Sequence, residues 1–176
     1  MPCVSLRPIR ITDAETCLRW VSDPDVSRFL GLLQPARTLE KERAWLSSVI
    51  VDKEHQRAFI IEDEGGRPIG TCGLRGIDRE AGTAFLGIMI GEKHLWNRGY
   101  GTVATKALIS YSFAELGLEE VRLSCHADNR GAIRCYQKAG FGPSSHCPER
   151  WQFGRDEVCM AINRRQWEAH PPPEEG

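Results

Sequence analysis

Apolar and polar positions alternate from Val4 to Arg10, the two-residue period of a strand with one buried face. Thr12 and Asp13 follow as candidate helix caps, and Leu18 and Val21, with Trp20 beside them, suit a short helix ending near Asp23-Pro24. A second helix is predicted from Thr38, because Trp45, Leu46, Val49 and Ile50 recur at the three- and four-residue spacings of one face. Arg57 to Glu62 and Ile69 to Leu74 flank Glu64-Gly65-Gly66-Arg67-Pro68, whose glycines and proline fit a hairpin turn joining an antiparallel pair. Ala84 to Ile90, reached through Asp78 to Gly82, is dense in Ile, Met and Phe and reads as a central strand.

Beyond this point the period lengthens. Val103, Ala107, Leu108, Tyr111 and Ala114 fall on one side of a helix of about four turns, with Gly117 where a left-handed cap is expected. Val121, Leu123 and Cys125 then alternate with Arg122, Ser124 and His126, a strand with two unlike faces. Strand, helix, strand in this order favours a right-handed crossover and a locally parallel pair. Asp128 or Asn129 can cap a further helix carrying Ala132, Ile133 and Tyr136 and closed by Gly140, and Val158, Met160 and Ile162 mark a last strand. No internal repeat or interdomain linker interrupts the pattern, so one domain over residues 4–168 is expected, with a disordered tail at 169–176.

Composition narrows the class. A chain of 176 residues can bury roughly two-thirds of its unfolded surface in one core. The 23 Lys and Arg against 24 Asp and Glu give a net charge of -1, which offers no global field for nucleic acid or an anionic membrane. No apolar run approaches the roughly 20 residues needed to cross a bilayer, and Met1 to Arg10 does not resemble a secretory signal, so the expected location is cytoplasmic. Seven cysteines scattered singly, and five histidines without ligand spacing, lead to an expectation of reduced thiols and no metal.

The segment with most chemistry is Trp96-Asn97-Arg98-Gly99-Tyr100-Gly101-Thr102, between the central strand and the long helix. A helix N-terminus presents unpaired N–H groups and about half a positive charge, and glycines let a phosphate approach without meeting a Cβ. The same glycines also suit a plain tight turn. Other phosphate loops fit poorly: there is no Gly-Lys-Ser/Thr, and the third glycine of a dinucleotide fingerprint is replaced by Ala104.

A second constellation runs Asn129-Arg130-Gly131-Ala132-Ile133-Arg134-Cys135-Tyr136-Gln137-Lys138-Ala139-Gly140-Phe141. Together the two segments resemble the GNAT superfamily of N-acetyltransferases. Trp-x-x-Gly-Tyr-Gly-Thr with Asn-x-x-Ala-Ile-x-x-Tyr-x-Lys-x-Gly-Phe looks most like its ribosomal-protein N-terminal acetyltransferase (RimJ/RimL-like) branch. The likeness extends from Leu6-Arg7-Pro8 and Asp23-Pro24-Asp25-Val26 to Trp167.

The resemblance implies an α+β fold: a mixed, mostly antiparallel sheet of about seven strands with a splayed parallel pair, flanked by about four helices. It implies acetyl-CoA as cosubstrate and no metal. Ile88, Met89 and Ile90 would meet the pantetheine arm; Trp96, Asn97, Arg98, Gly99, Tyr100, Gly101 and Thr102 would hold the pyrophosphate; Asn129, Ala132 and Tyr136 would line the arm near the thiol. The family often has Gln or Arg where Trp96 stands, which shifts weight from that side chain to the backbone of Gly99 and Gly101. Tyr136 takes the position that protonates the leaving thiolate in similar enzymes, and Glu92 and Glu149 are candidates for relaying the amine's proton. The expected acceptor is a primary amine, on a protein N-terminus or a small molecule; a homodimer is compatible by analogy. The rival expectations are a noncatalytic acyl-CoA-binding module and a plain structural domain.

Overall fold

The computed structural model describes residues 1–30, 37–146 and 156–169. The chain lays down β1 (Ser5–Pro8), α1 (Ala14–Ser22), α2 (Pro24–Ser27) and α3 (Leu39–Val51) before the main run of strands. Then come β2 (Arg57–Glu62), β3 (Pro68–Asp78), β4 (Thr83–Ile90), α4 (Tyr100–Ala114), β5 (Glu120–His126), α5 (Arg130–Ala139), β6 (Gly142–Pro143), β7 (Glu157–Asn163) and α6 (Arg164–Ala169). Seven strands form one sheet in the order β1-β2-β3-β4-β5-β7-β6. All neighbours are antiparallel except β4 and β5, which the α4 crossover makes parallel. Among the described residues there are six α-helices rather than about four, and none is long and apolar enough to cross a membrane.

Strand alternation divides the interior. Phe59 and Ile61 of β2 face a large core with Leu86, Leu108, Phe113, Leu123 and Met160, under α4 and α5. Ile60, between them, faces a second core built from Trp20 of α1 and Leu46 of α3. Two helical layers therefore cover the two faces of one sheet.

Three local expectations change. The buried stripe of α4 is Ala104, Thr105, Leu108, Ile109, Ser112 and Phe113, shifted from the expected face, and Ala114 is exposed. Thr105 and Ser112 are tolerated there because their hydroxyls donate to the carbonyls of Gly101 and Leu108, each at 2.7 Å. Thr12 lies within a 3-10 turn, and Asp13 does not cap α1 with its side chain; its carboxylate accepts from the Arg10 N–H at 2.7 Å and from Arg7 at 3.0 and 3.1 Å. The helix α3 starts where expected, with Thr38 as its side-chain cap, but Trp45 is 46% exposed instead of joining the inner face. Cys3, Cys17, Cys72, Cys125 and Cys135 are free thiols, whereas Cys159 is disulfide-bonded, which corrects the expectation that all are reduced.

Candidate functional site

Parallel pairing of β4 with β5 covers only Thr83 to Phe85 against Glu120 to Arg122, although β4 continues to Ile90 and β5 to His126. The two strands part beyond Phe85. Gly91 N–H donates to the Ile69 carbonyl of the β3 side at 2.8 Å, so alternation turns the N–H and C=O groups of Ile90 and Ile88 away from β3, into the gap. Met89 differs: its peptide groups belong to the β3 ladder, and its side chain faces the α1/α3 layer. The Ile90 carbonyl is already taken by the Trp96 indole, whose Nε1–H donates to it at 2.8 Å.

The turn before α4 closes on this gap. Asn97 adopts a left-handed φ of 61° and Gly99 one of 92°, a conformation that a Cβ disfavours. A Cβ on Gly101 would stand 3.8 Å from the Ile90 side chain and 3.4 Å from Cys135 Sγ, which locates the helix start between the end of β4 and α5. Among the described residues no side chain caps α4, unlike α2, α3 and α5, which Asp23, Thr38 and Asn129 cap. Val103 N–H bonds the Gly99 carbonyl at 3.1 Å, and the N–H groups of Tyr100, Gly101 and Thr102 precede that first helical bond. Arg98 is exposed beside them. The Tyr100 phenol turns away to Glu64 at 3.2 Å, and Thr102 Oγ1 lies 3.6 Å from Cys135 Sγ.

On α5 the Asn129 side chain is committed as a cap, accepting from the Ala132 N–H at 3.1 Å. Ala132 and Tyr136 follow on the face that packs into the large core, Tyr136 edge-on to Phe141 at 5.9 Å. Burial pushes the Tyr136 phenol up, with the nearby thiols of Cys125 and Cys135 adding to it, so the group stays protonated.

Glu92, just past β4, accepts from Trp20 Nε1 and from Arg19 Nη2, each at 2.8 Å. The Trp20 hydrogen bond, followed by that of Arg19, holds its carboxyl below the usual range against the opposing effect of burial. Gly91 is required at this junction, since a Cβ there would stand 2.2 to 2.4 Å from the Trp20 ring. Glu149 lies outside the described residues, as do residues 170–176 of the expected tail.

On the opposite face of β4 a cavity of about 390 Å³ opens between α1, α3 and the sheet. Its floor includes Gly87, where a Cβ would meet nothing within 4 Å, and Met89; its walls include Val21, Leu30, Trp45 and Val49. Glu42, 2% exposed, pairs with Arg37 at 3.0 Å within this wall. Cys17 and Cys72 also line it, and burial pushes the Cys17 thiol up to about 12 and the Cys72 thiol upward as well. The sequence pattern did not reveal this cavity; a glycine inside a strand otherwise dense in large residues was the available signal. Among the described residues, no group of three His, Cys, Asp or Glu side chains is placed to hold a metal.

The family model for the acetyltransferase (GNAT) domain matches residues 4–142. A curated relative from Bacillus subtilis, the probable N-acetyltransferase YjcK, is 30% identical over 145 residues, covering 78% of this chain and 80% of its own. The uncharacterized N-acetyltransferase p20 of Bacillus licheniformis is 28% identical over 141 residues, 78% of each chain. Among solved structures, spermidine N-acetyltransferase from Vibrio cholerae in complex with CoA and spermine superposes with a TM-score of 0.83 at 20% identity, over 94% of this chain and 98% of that one. Aminoglycoside acetyltransferase AAC(6')-Ib in complex with coenzyme A gives 0.82 at 21% identity, over 97% and 100%. At such identities these two structures establish a shared fold.

Proposed function

The chain belongs to the acetyltransferase (GNAT) domain family and is an acyltransferase, and from that premise we propose direct transfer of an acetyl group from acetyl-CoA to a primary amine. The observation that carries this reading is the parting of β4 from β5 beyond Phe85, with the uncapped start of α4 at its end. A long polar arm fits a gap edged by the peptide groups of Ile88 and Ile90, and a diphosphate fits N–H groups approached over Gly99 and Gly101. Acetyl-CoA supplies the acetyl group as a thioester. The neutral amine's lone pair forms the C–N bond, the C–S bond breaks, the amine releases one proton, and the departing sulfur gains one.

Tyr136 is assigned as the donor to that sulfur. Complete transfer from a phenol of ordinary pKa near 10 to a thiolate whose acid lies near 8.5 is uphill by about 2 kcal/mol, and burial of Tyr136 raises the donor further. Desolvation raises a thiol beside Tyr136 too, as it does Cys125. Tyr136 therefore acts chiefly as a hydrogen-bond donor that stabilises the developing negative charge. The Ile88 N–H, aimed into the gap, is assigned to the thioester oxygen. Glu92, held ionised by Trp20 and Arg19, is a poor proton acceptor, and we assign it to positioning the end of β4. The raised thiols of Cys17 and Cys72 favour direct attack over an acylated cysteine.

The finer placement in the ribosomal-protein N-terminal branch is supported by the two sequence segments that frame the gap, and it makes a protein N-terminus one acceptor alongside small amines. The test is amine-dependent release of CoA thiol from acetyl-CoA, with mass detection of the acetylated product. Release that follows added amine is the expected result. Tight CoA binding without transfer across a broad amine panel would instead mark a noncatalytic binding module.

A further inference from the structure

On the acetyl-transfer reading, the acceptor needs open space beside the gap. The α4 and α5 face of the sheet is filled by the large core, whereas the cavity beneath α1 and α3 is floored by Gly87 and Met89, the two residues flanking Ile88. The chemistry of its wall restricts what can enter. Val21, Leu30, Val49 and Met89 are apolar, and half-exposed Trp45 offers an aromatic face at its edge. Glu42 is the only carboxylate among the described lining residues, and it is buried against Arg37. The other ionisable side chains of the described lining besides the cysteines, Arg57 and Arg75, are cations.

Desolvating an ammonium group without a counter-charge is costly, and a polyamine or aminoglycoside brings several. One amine can enter neutral, as attack requires; its companions cannot all do so. We propose that this cavity takes a single primary amine carried on an apolar or aromatic body, and that polycations are poor acceptors. Either a free arylalkylamine or a peptide N-terminus with an apolar first residue presents that chemistry.

The full chain, saturated with acetyl-CoA, is assayed for thiol release with phenethylamine, a Phe-initiated peptide, spermidine and an aminoglycoside. At least one apolar monoamine is expected to exceed spermidine and the aminoglycoside at least tenfold in kcat/KM, and the two monoamine arms identify its source. Gly87→Val, which places a branched side chain into open space on a strand, should lower kcat/KM for the preferred amine at least tenfold while calorimetry shows CoA still bound. Trp45→Ala, at a half-exposed site that spares the core, should lower it severalfold. Preference for a polycation, or both variants turning over the preferred amine like the parent, overturns the inference and leaves acetyl transfer standing. Failure to bind CoA, or no transfer to any amine, removes the acetyl-transfer reading and this inference together.

Discussion

Tyr136 combines deep burial with a raised phenol pKa, so its value to catalysis lies in one hydrogen bond to a forming thiolate. Such a bond to a charged partner is worth about 1.5–3 kcal/mol. Tyr136→Phe keeps the ring against Phe141; steady-state kinetics should show kcat falling roughly 10- to 100-fold with CoA affinity little changed. An unaltered kcat would remove Tyr136 from the mechanism. Gly99 acts through its backbone, and its φ of 92° penalises any Cβ. Gly99→Ala should cost about 1–2 kcal/mol locally and weaken CoA binding, measured calorimetrically, more than it slows turnover at saturating acetyl-CoA. Both residues stand in the two segments that carried the family likeness, so they were legible in sequence. The Trp96 bond to the Ile90 carbonyl was not, because only the closed turn brings an indole back across six residues.

The elements meet through polar clamps as well as apolar packing. Arg7 of β1 grips Asp13 at the entry to α1 and Glu62 of β2 at 2.8 Å. Burial pushes the Asp13 carboxyl up, but the Arg7 and Arg10 hydrogen bonds outweigh it and leave it depressed. A depressed folded pKa stabilises the fold fully above the unfolded value of about 3.9, and that contribution is lost as pH falls through the folded one. Asp13→Asn should therefore lower stability at neutral pH and flatten its decline below about pH 4, read from urea melts across pH. At the other end of α1, Gly91→Ala would drive a methyl into the Trp20 ring. Overpacking of this kind costs about 1–3 kcal/mol, and thermal melts should show it while also loosening Glu92. Helix existence was legible from spacing, which placed a start at Thr38, and from cap candidates such as Asp128 or Asn129, of which Asn129 is the one that caps. The face α4 buries was misread because Thr105 and Ser112 satisfy their hydroxyls within the helix and can be buried like apolar residues.

At the scale of the whole molecule, one sheet divides two cores, and the proposed chemistry sits where β4 borders both the gap and the cavity. Leu46, fully buried, anchors α3 over the cavity side. Leu46→Ala should cost about 2–5 kcal/mol, lowering Tm by roughly 5–20 °C; a smaller shift would mean the α1/α3 layer adapts freely. The sequence by itself determined the strand and helix order, the crossover that makes β4 and β5 parallel, and the glycine turn at the start of α4. Each is set by side-chain period, caps or backbone freedom within a few neighbouring residues. Tertiary structure alone decided how far β4 and β5 stay paired, that Trp20 and Arg19 occupy Glu92 from 72 and 73 residues away, and that the space above Gly87 stays open. Those features depend on which distant surfaces come to face each other, a property of packed layers that no local period encodes.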